Sequence, residues 1–387
     1  MIIAPAKRLE CISEYYFSTK LEQIRQMNEK GLDVINLGIG SPDLAPHEEV
    51  IKTAAAALKS PKNHGYPSYR GLPVLRSAMS EWYQTTYGVK LDPSSQVLPL
   101  LGSKEGLFYI ARAFLNSGDQ ALVPNPGYPA YTSVTTLAGG TPLTYNLKEE
   151  NNFHPDFTEI EKNDLSKVKI MFVNYPHMPT GAKGSEELFK SLINFGKKHG
   201  ILICHDNPYS QVLNTEAPRS ILKFDPNFEV ALELNSTSKA FNMAGWRVGM
   251  LMGHRDVIET VAKVKTNVDS GMFLPVQFGA IDAFKKTTTQ WHEARNHIYK
   301  DRQDLAYKVF EKIGFTARPD QVGLFLWAKA PEGINSVEAR IDEILEKTNV
   351  FLTPGFIFGT EGARYARASL CAPLERLSEA LTRLENL

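Results

Sequence analysis

Ser236-Thr237-Ser238-Lys239-Ala240-Phe241-Asn242-Met243-Ala244-Gly245-Trp246-Arg247-Val248-Gly249 is the stretch on which the reading of the whole chain turns. Its pattern is S-T-S-K-x5-G-x-R-x-G: a lysine behind small hydroxyl residues, then an arginine between two glycines. A lysine held, partly desolvated, beside an aldehyde becomes a nucleophile that traps the carbonyl. Hydroxyls, an arginine and glycines that admit close backbone approach are what a phosphate requires. An aldehyde and a phosphate on one ring describe pyridoxal 5'-phosphate. Lys239 is then the residue that takes the aldehyde, and Ser236, Ser238 and Arg247 are candidate phosphate contacts. Over S-x-S-K alone, a plain surface loop would read the same way. The longer pattern and the stretches upstream argue against that.

The composition sets bounds. The 387 residues leave room for two or three domain-sized units with a sizeable core, and 43% hydrophobic with 22% charged residues is ordinary for a globular chain. The formal net charge is zero, which argues against nucleic acid or an anionic membrane as the main partner. No apolar run approaches the roughly 20 residues of a membrane span, and the first residues lack a signal-peptide core. Cys11, Cys204 and Cys371 are odd in number and widely spaced, which suits free thiols and a cytoplasmic location. No Cys/His spacing predicts a metal centre, and there is no internal repeat.

Strands and helices alternate through the middle of the chain, which predicts a mostly parallel α/β sheet. Val97 to Leu101 reads as a buried strand, followed by Gly102-Ser103-Lys104-Glu105-Gly106 and a helix over 107–114. Strand, small residues, helix is a phosphate-cradle layout, with the N–H groups of Ser103 and Lys104 as donors. Gly200 to His205 is another buried strand, ending at Asp206-Asn207-Pro208-Tyr209. Strand ends are where α/β sheets put ligand contacts. An aspartate there suits a pyridinium nitrogen, and His205, on the opposite face, is expected to pack.

These motifs, in this order, resemble the class I/II, fold-type I aminotransferases, the aspartate-aminotransferase-like family, from Asn36-Leu37-Gly38-Ile39-Gly40 to Arg367. The resemblance implies a PLP-transferase fold. A large domain over 46–285 would be flanked by a small domain built from 1–45 and 286–387, with the long helix near 287–313 as a link. It implies a homodimer with shared active sites and a ping-pong transfer of an α-amino group from an amino acid to a 2-oxo acid, expected to be 2-oxoglutarate. Lys239 would carry the cofactor and move the α-proton. Asp206 would keep the ring nitrogen protonated, Tyr209 would hydrogen-bond the ring oxygen, and Tyr128 would stack on the ring. Gly40 and Arg367 would hold the substrate carboxylate, with Arg364 as the fallback. Tyr66 would reach across the dimer to the partner's phosphate. Ser13-Glu14-Tyr15-Tyr16-Phe17 offers aromatics for a partner subunit or for the core.

Two features depart from the family's pattern. Ser41 stands where glutamate is usual in G-E-P-D, and Met178 stands where N-x-P-x-N-P-T-G has an asparagine that donates to the ring oxygen. Methionine cannot donate; His177 or an ordered water is the candidate substitute. No arginine lies between Arg255 and Arg295, where aspartate-specific relatives supply one. A neutral or apolar amino acid is therefore the first expectation, and the LL-diaminopimelate type the second, since Ser270-Gly271-Met272-Phe273 and the Gly-Ser-Lys loop resemble that branch. A C–S lyase on the same scaffold and a non-catalytic regulator are the competing readings.

Overall fold

The structure, a computed structural model, describes residues 3–10 and 16–387. Cys11 and the Ser13–Tyr15 part of the aromatic stretch lie outside the described residues.

Among the described residues, thirteen strands form three sheets. Ile35–Asn36 (β1) pairs in parallel with Val350–Phe351 (β11). The large sheet contains Val97–Leu100 (β2), Gln120–Asn125 (β3), Thr141–Asn146 (β4), Val168–Val173 (β5), Leu202–Asp206 (β6), Ala231–Ser236 (β7) and Gly249–Gly253 (β8). Their order is β2-β8-β7-β6-β5-β3-β4. The run from β7 to β4 is parallel, and β8 is antiparallel to both its neighbours. The third sheet orders Thr353–Pro354 (β12), Tyr365–Ser369 (β13), Phe325–Lys329 (β10) and Thr316–Ala317 (β9), all antiparallel.

The parallel strands are apolar runs because both faces of the sheet are covered. Ile170 and Phe172 of β5 point into one core with Cys204, Leu232, Leu234 and Leu251. Helices Ser103–Phe114, Ala130–Ala138 and Arg255–Lys265 cover that face. Met171 and Val173 point the other way, into a core shared with Ile203, Met250 and Met252. Helices Pro73–Tyr87, Glu186–His199 and Leu274–Lys286 close it, and it runs on into the C-terminal sheet through Phe325 and Trp327. Local signals agree with this packing. Glu186–His199 is capped by the Ser185 hydroxyl on Leu188 N, starts with Glu186 and Glu187, ends with Lys197, Lys198 and His199, and stops at left-handed Gly200.

The helix expected over 107–114 begins earlier, at Ser103, with Gly102 as its N-cap residue. The sequence run Gly-Ser-Lys-Glu-Gly hid that first turn, because glycine and serine are poor helix formers. The first α-helix among the described residues is Tyr16–Glu29.

Candidate active site

A cavity of about 400 Å³ opens at the C-terminal ends of the parallel strands. Every residue of the expected site lines it except Tyr66. The topology explains the convergence. β2, β3, β5, β6 and β7 all point the same way, so the loops after them share one rim. β8 runs backwards, so the residues before it, including Arg247, reach the same rim: Gly249 pairs with both Leu100 and Ser236.

One end of the cavity is cationic and rich in donors. Gly102 sits at φ +89°, and a Cβ there would fall 2.1 Å from Arg247 Nη2, so only glycine lets the guanidinium lie over the start of the helix. Gly102 gives no side-chain cap, so the first N–H groups of Ser103–Phe114 face the cavity end with Arg247. Arg247 itself is left-handed, at φ 56°. Ser236 ends β7, and Ser238 and Lys239 lie in the single turn Thr237–Ala240 that follows it.

The middle of the cavity holds the titratable groups. Asp206, 5% exposed, accepts from the Tyr131 hydroxyl on Oδ2 at 3.1 Å, while its Oδ1 is buried with no hydrogen-bond partner. Burial pushes its carboxyl up from 3.8 to about 6. Asn174 Nδ2 donates to the Asp206 carbonyl and fixes the end of β6. Burial lowers the Lys239 amine, which donates to the Gly40 carbonyl at 2.5 Å. Burial also raises the Tyr209 phenol. The Tyr128 ring stands edge-on to Tyr131, with centroids 5.6 Å apart.

The other end is built around Arg367, 4% exposed. Its guanidinium lies between the rings of Phe325, at 3.8 Å, and Phe358, at 4.6 Å. Nη2 donates to the Gly38 carbonyl at 2.8 Å, and Nη1 meets the Met178 sulfur at 3.3 Å. Gly40 is tight against Phe325: a Cβ there would lie 2.1 Å from its ring. Arg364 bonds the carbonyls of Ile334 and Pro331 and does not line the cavity.

His205 packs as expected, fully buried with Nδ1 on Glu233 at 2.8 Å. His177 bonds Thr180 and does not line the cavity, so it does not replace the missing asparagine. Tyr66 is 92% exposed and does not line the cavity of its own chain. The sequence reading missed Tyr131, Phe325 and Phe358. Tyr131 had a signal, three residues after Tyr128 at the start of a helix; the two phenylalanines meet Arg367 only through tertiary packing.

The donor set fits pyridoxal 5'-phosphate: a buried carboxylate oxygen left over, a lysine lowered by burial, and a helix start roofed by an arginine. The family model described as "Aminotransferase class I and II" matches residues 32–384. The chain belongs to that family. It is a pyridoxal 5'-phosphate-dependent aminotransferase, transferring an amino group between an amino acid and a 2-oxo acid. It is similar to the LL-diaminopimelate aminotransferase of Halothermothrix orenii, at 41% identity over 382 residues that cover 98% of each chain. The enzyme of that name from Aquifex aeolicus is 40% identical, again covering 98% of each. Among solved structures, substrate-bound BacF from Bacillus subtilis is 35% identical with a TM-score of 0.94, covering 100% of this aminotransferase and 98% of BacF. A Thermus thermophilus aspartate aminotransferase mutant, at 24% identity and a TM-score of 0.92, covers 100% of both chains and shares the fold.

Proposed function

We propose that this aminotransferase acts on LL-diaminopimelate, with 2-oxoglutarate and glutamate as the other substrate pair, in the cytoplasm as a homodimer. What carries this reading is identity of about 40% along the whole chain to relatives of that name. It replaces the first expectation of a neutral or apolar amino acid. Ser18, Leu21 and Ile39 also line the cavity, whose volume of about 400 Å³ accommodates a long substrate. Aspartate is a poor fit. The nearest arginine after the Ser270–Gln277 stretch, Arg295, is spent on the backbone carbonyls of Lys239, Ala240 and Gln211.

In this reading Arg367 and the Gly40 backbone hold the substrate α-carboxylate. The two phenylalanines lie against the faces of the planar guanidinium and shield them from water, which strengthens its fork for a carboxylate. Lys239, whose amine burial lowers, would take the α-proton as a base and deliver it as an acid to the carbon that carried the cofactor's aldehyde. Asp206 would keep the cofactor's ring nitrogen protonated, Tyr209 would hydrogen-bond the ring oxygen, and Tyr128 would stack on the ring. Ser103, Lys104, Ser236, Ser238, Arg247 and a partner chain's Tyr66 hold the phosphate. The bound cofactor supplies the electron sink for the substrate carbanion. The division into a large unit over 46–285 and a small one from 1–45 and 286–387 is part of this proposal; the separate sheets support it.

The test is a single-turnover scan of the cofactor-loaded enzyme against LL-diaminopimelate, methionine, alanine, phenylalanine and aspartate, without 2-oxo acid. LL-diaminopimelate should discharge the visible cofactor band fastest and give one equivalent of a 2-oxo acid whose free amine closes to a cyclic imine. Phenylalanine or methionine reacting faster would overturn the substrate. Release of ammonia or thiol with an unchanged band would move the enzyme to the lyase class.

A further inference from the structure

We infer that Tyr131 is a positioning residue for the cofactor's ring nitrogen: its hydroxyl anchors Asp206 Oδ2 and leaves Oδ1 to receive the ring N–H. The inference rests on the reading of Asp206 as the ring-nitrogen partner.

Three observations carry it. The carboxylate is asymmetric: Oδ2 accepts from the Tyr131 hydroxyl at 3.1 Å, and Oδ1 is buried without a partner. A buried carboxylate oxygen with no donor is costly, and Oδ1 is the atom that a ring N–H would satisfy. Second, Tyr131 is rigid. It is 1% exposed, stacked on Phe172 at 5.1 Å and 7°, and edge-on to Tyr128. Phe172 belongs to β5, the strand beside the one that ends in Asp206, so the phenol and the carboxylate are fixed to neighbouring strands. Third, Asn174 does other work: its Nδ2 donates to the Asp206 main-chain carbonyl, not to its carboxylate. One short segment, 128–131, thus supplies the ring that would cover the cofactor and the hydroxyl that aims its acid partner.

Physically, the hydroxyl does two things. It stops rotation of the carboxylate, so that Oδ1 stays in line with the ring nitrogen. It also withdraws charge from Asp206, making it a weaker base, so that the shared proton stays on nitrogen. A nitrogen that keeps its proton draws the substrate's electrons more strongly. A tyrosine that merely satisfies its own buried hydroxyl would do neither.

The test uses enzyme loaded with cofactor labelled with 15N in the ring. Tyr131→Phe removes one oxygen and keeps the stacked ring. Its 15N signal should move from the protonated position toward the unprotonated one, in the direction Asp206→Asn moves it. Its kcat should fall about tenfold or more while KM changes less than about twofold. A Tyr131→Phe signal and kcat equal to the parent's, with Asp206→Asn displaced, would overturn the inference alone. An unmoved signal in Asp206→Asn would instead overturn the reading beneath it. If Tyr131→Phe does not yield folded enzyme, 3-fluorotyrosine at 131 keeps ring and hydroxyl and strengthens the donor. The 15N signal should then move opposite to that of Asp206→Asn, and an unmoved signal would count against the inference.

Discussion

Asp206 and Met178 show how much of this site's chemistry is set by single side chains. The folded, cofactor-free protein raises Asp206 from 3.8 to about 6 by burial. Between these values the fold binds the proton more tightly than the unfolded chain does. The cost of ionised Asp206 is absent below 3.8, grows through the window and is complete above 6, at about 3 kcal/mol. Asp206→Asn should therefore raise the melting temperature of the cofactor-free protein at pH 7.5 and change it little at pH 4. Melting curves of both proteins at the two pH values check this, and a gain independent of pH would rule it out. Met178 concerns the ring oxygen. Its sulfur sits on Arg367 and offers no proton. A donor here would favour the deprotonated form of the bound cofactor by about 1.5–3 kcal/mol, or roughly 1–2 pH units. Met178→Asn should lower the pH midpoint of the cofactor's visible band by that amount, and an unchanged titration would show that Tyr209 suffices alone.

The helix Thr289–Lys312 shows what one element can do for a site it does not line. Two buried arginines, a heptad apart, face inward. Arg295 holds the carbonyls of Lys239, Ala240 and Gln211. Arg302, 4% exposed, grips both oxygens of Asp43 at 2.7 and 2.8 Å and the Leu370 carbonyl at 3.1 Å. One rigid rod thus fixes the lysine turn, the Gly38–Asp43 loop and the end of β13. Asp43→Asn breaks the fork and leaves a buried guanidinium half paired. Because Asp43 is partly exposed, the loss should be about 2 kcal/mol, below that of a fully buried pair. The amino acid KM should rise several-fold, with cofactor retention unchanged, because the loop carries Gly40 and not the phosphate cradle. Equal losses of cofactor and substrate affinity would refute this division of labour. These contacts also mark where the sequence stops being legible. The strands and the lysine, aspartate and arginine motifs could be read because their signals are local: apolar runs, glycines and hydroxyls at fixed offsets. The Asp43 fork spans 259 positions and the aromatic sandwich on Arg367 joins β10, β13 and the turn Gly355–Phe358, so neither leaves a local trace. Helix starts were misplaced for the converse reason: Ser103 is helical because the sheet and the cradle hold it there, against its propensity.

At the scale of the whole molecule, the chain contains a cavity with one predicted contact missing. Tyr66 lies 92% exposed, and Tyr69 of the same loop, Val268 and Phe273 are exposed too. Its loop packs on the 268–273 stretch: a Cβ on Gly271 would lie 3.0 Å from Pro67, and His64 sits 5.9 Å from Phe273. Four apolar side chains clustered on a surface suit burial against another subunit. A second copy related by a twofold axis would bring its Tyr66 to this chain's phosphate end and receive the same in return. Shared sites make a sharp prediction. Lys239→Ala and Tyr66→Ala should each be nearly inactive alone. Unfolded together and refolded, half of the dimers formed are mixed. In each mixed dimer one site has both mutations, while the other joins Lys239 of one chain to Tyr66 of its partner. The mixture should therefore regain up to about a quarter of the parent activity, half the dimers with one working site of two. Its rate should rise with the product of the two chains' fractions. If Tyr66 serves its own chain instead, every site in the mixture carries one lesion, and no mixing ratio restores activity.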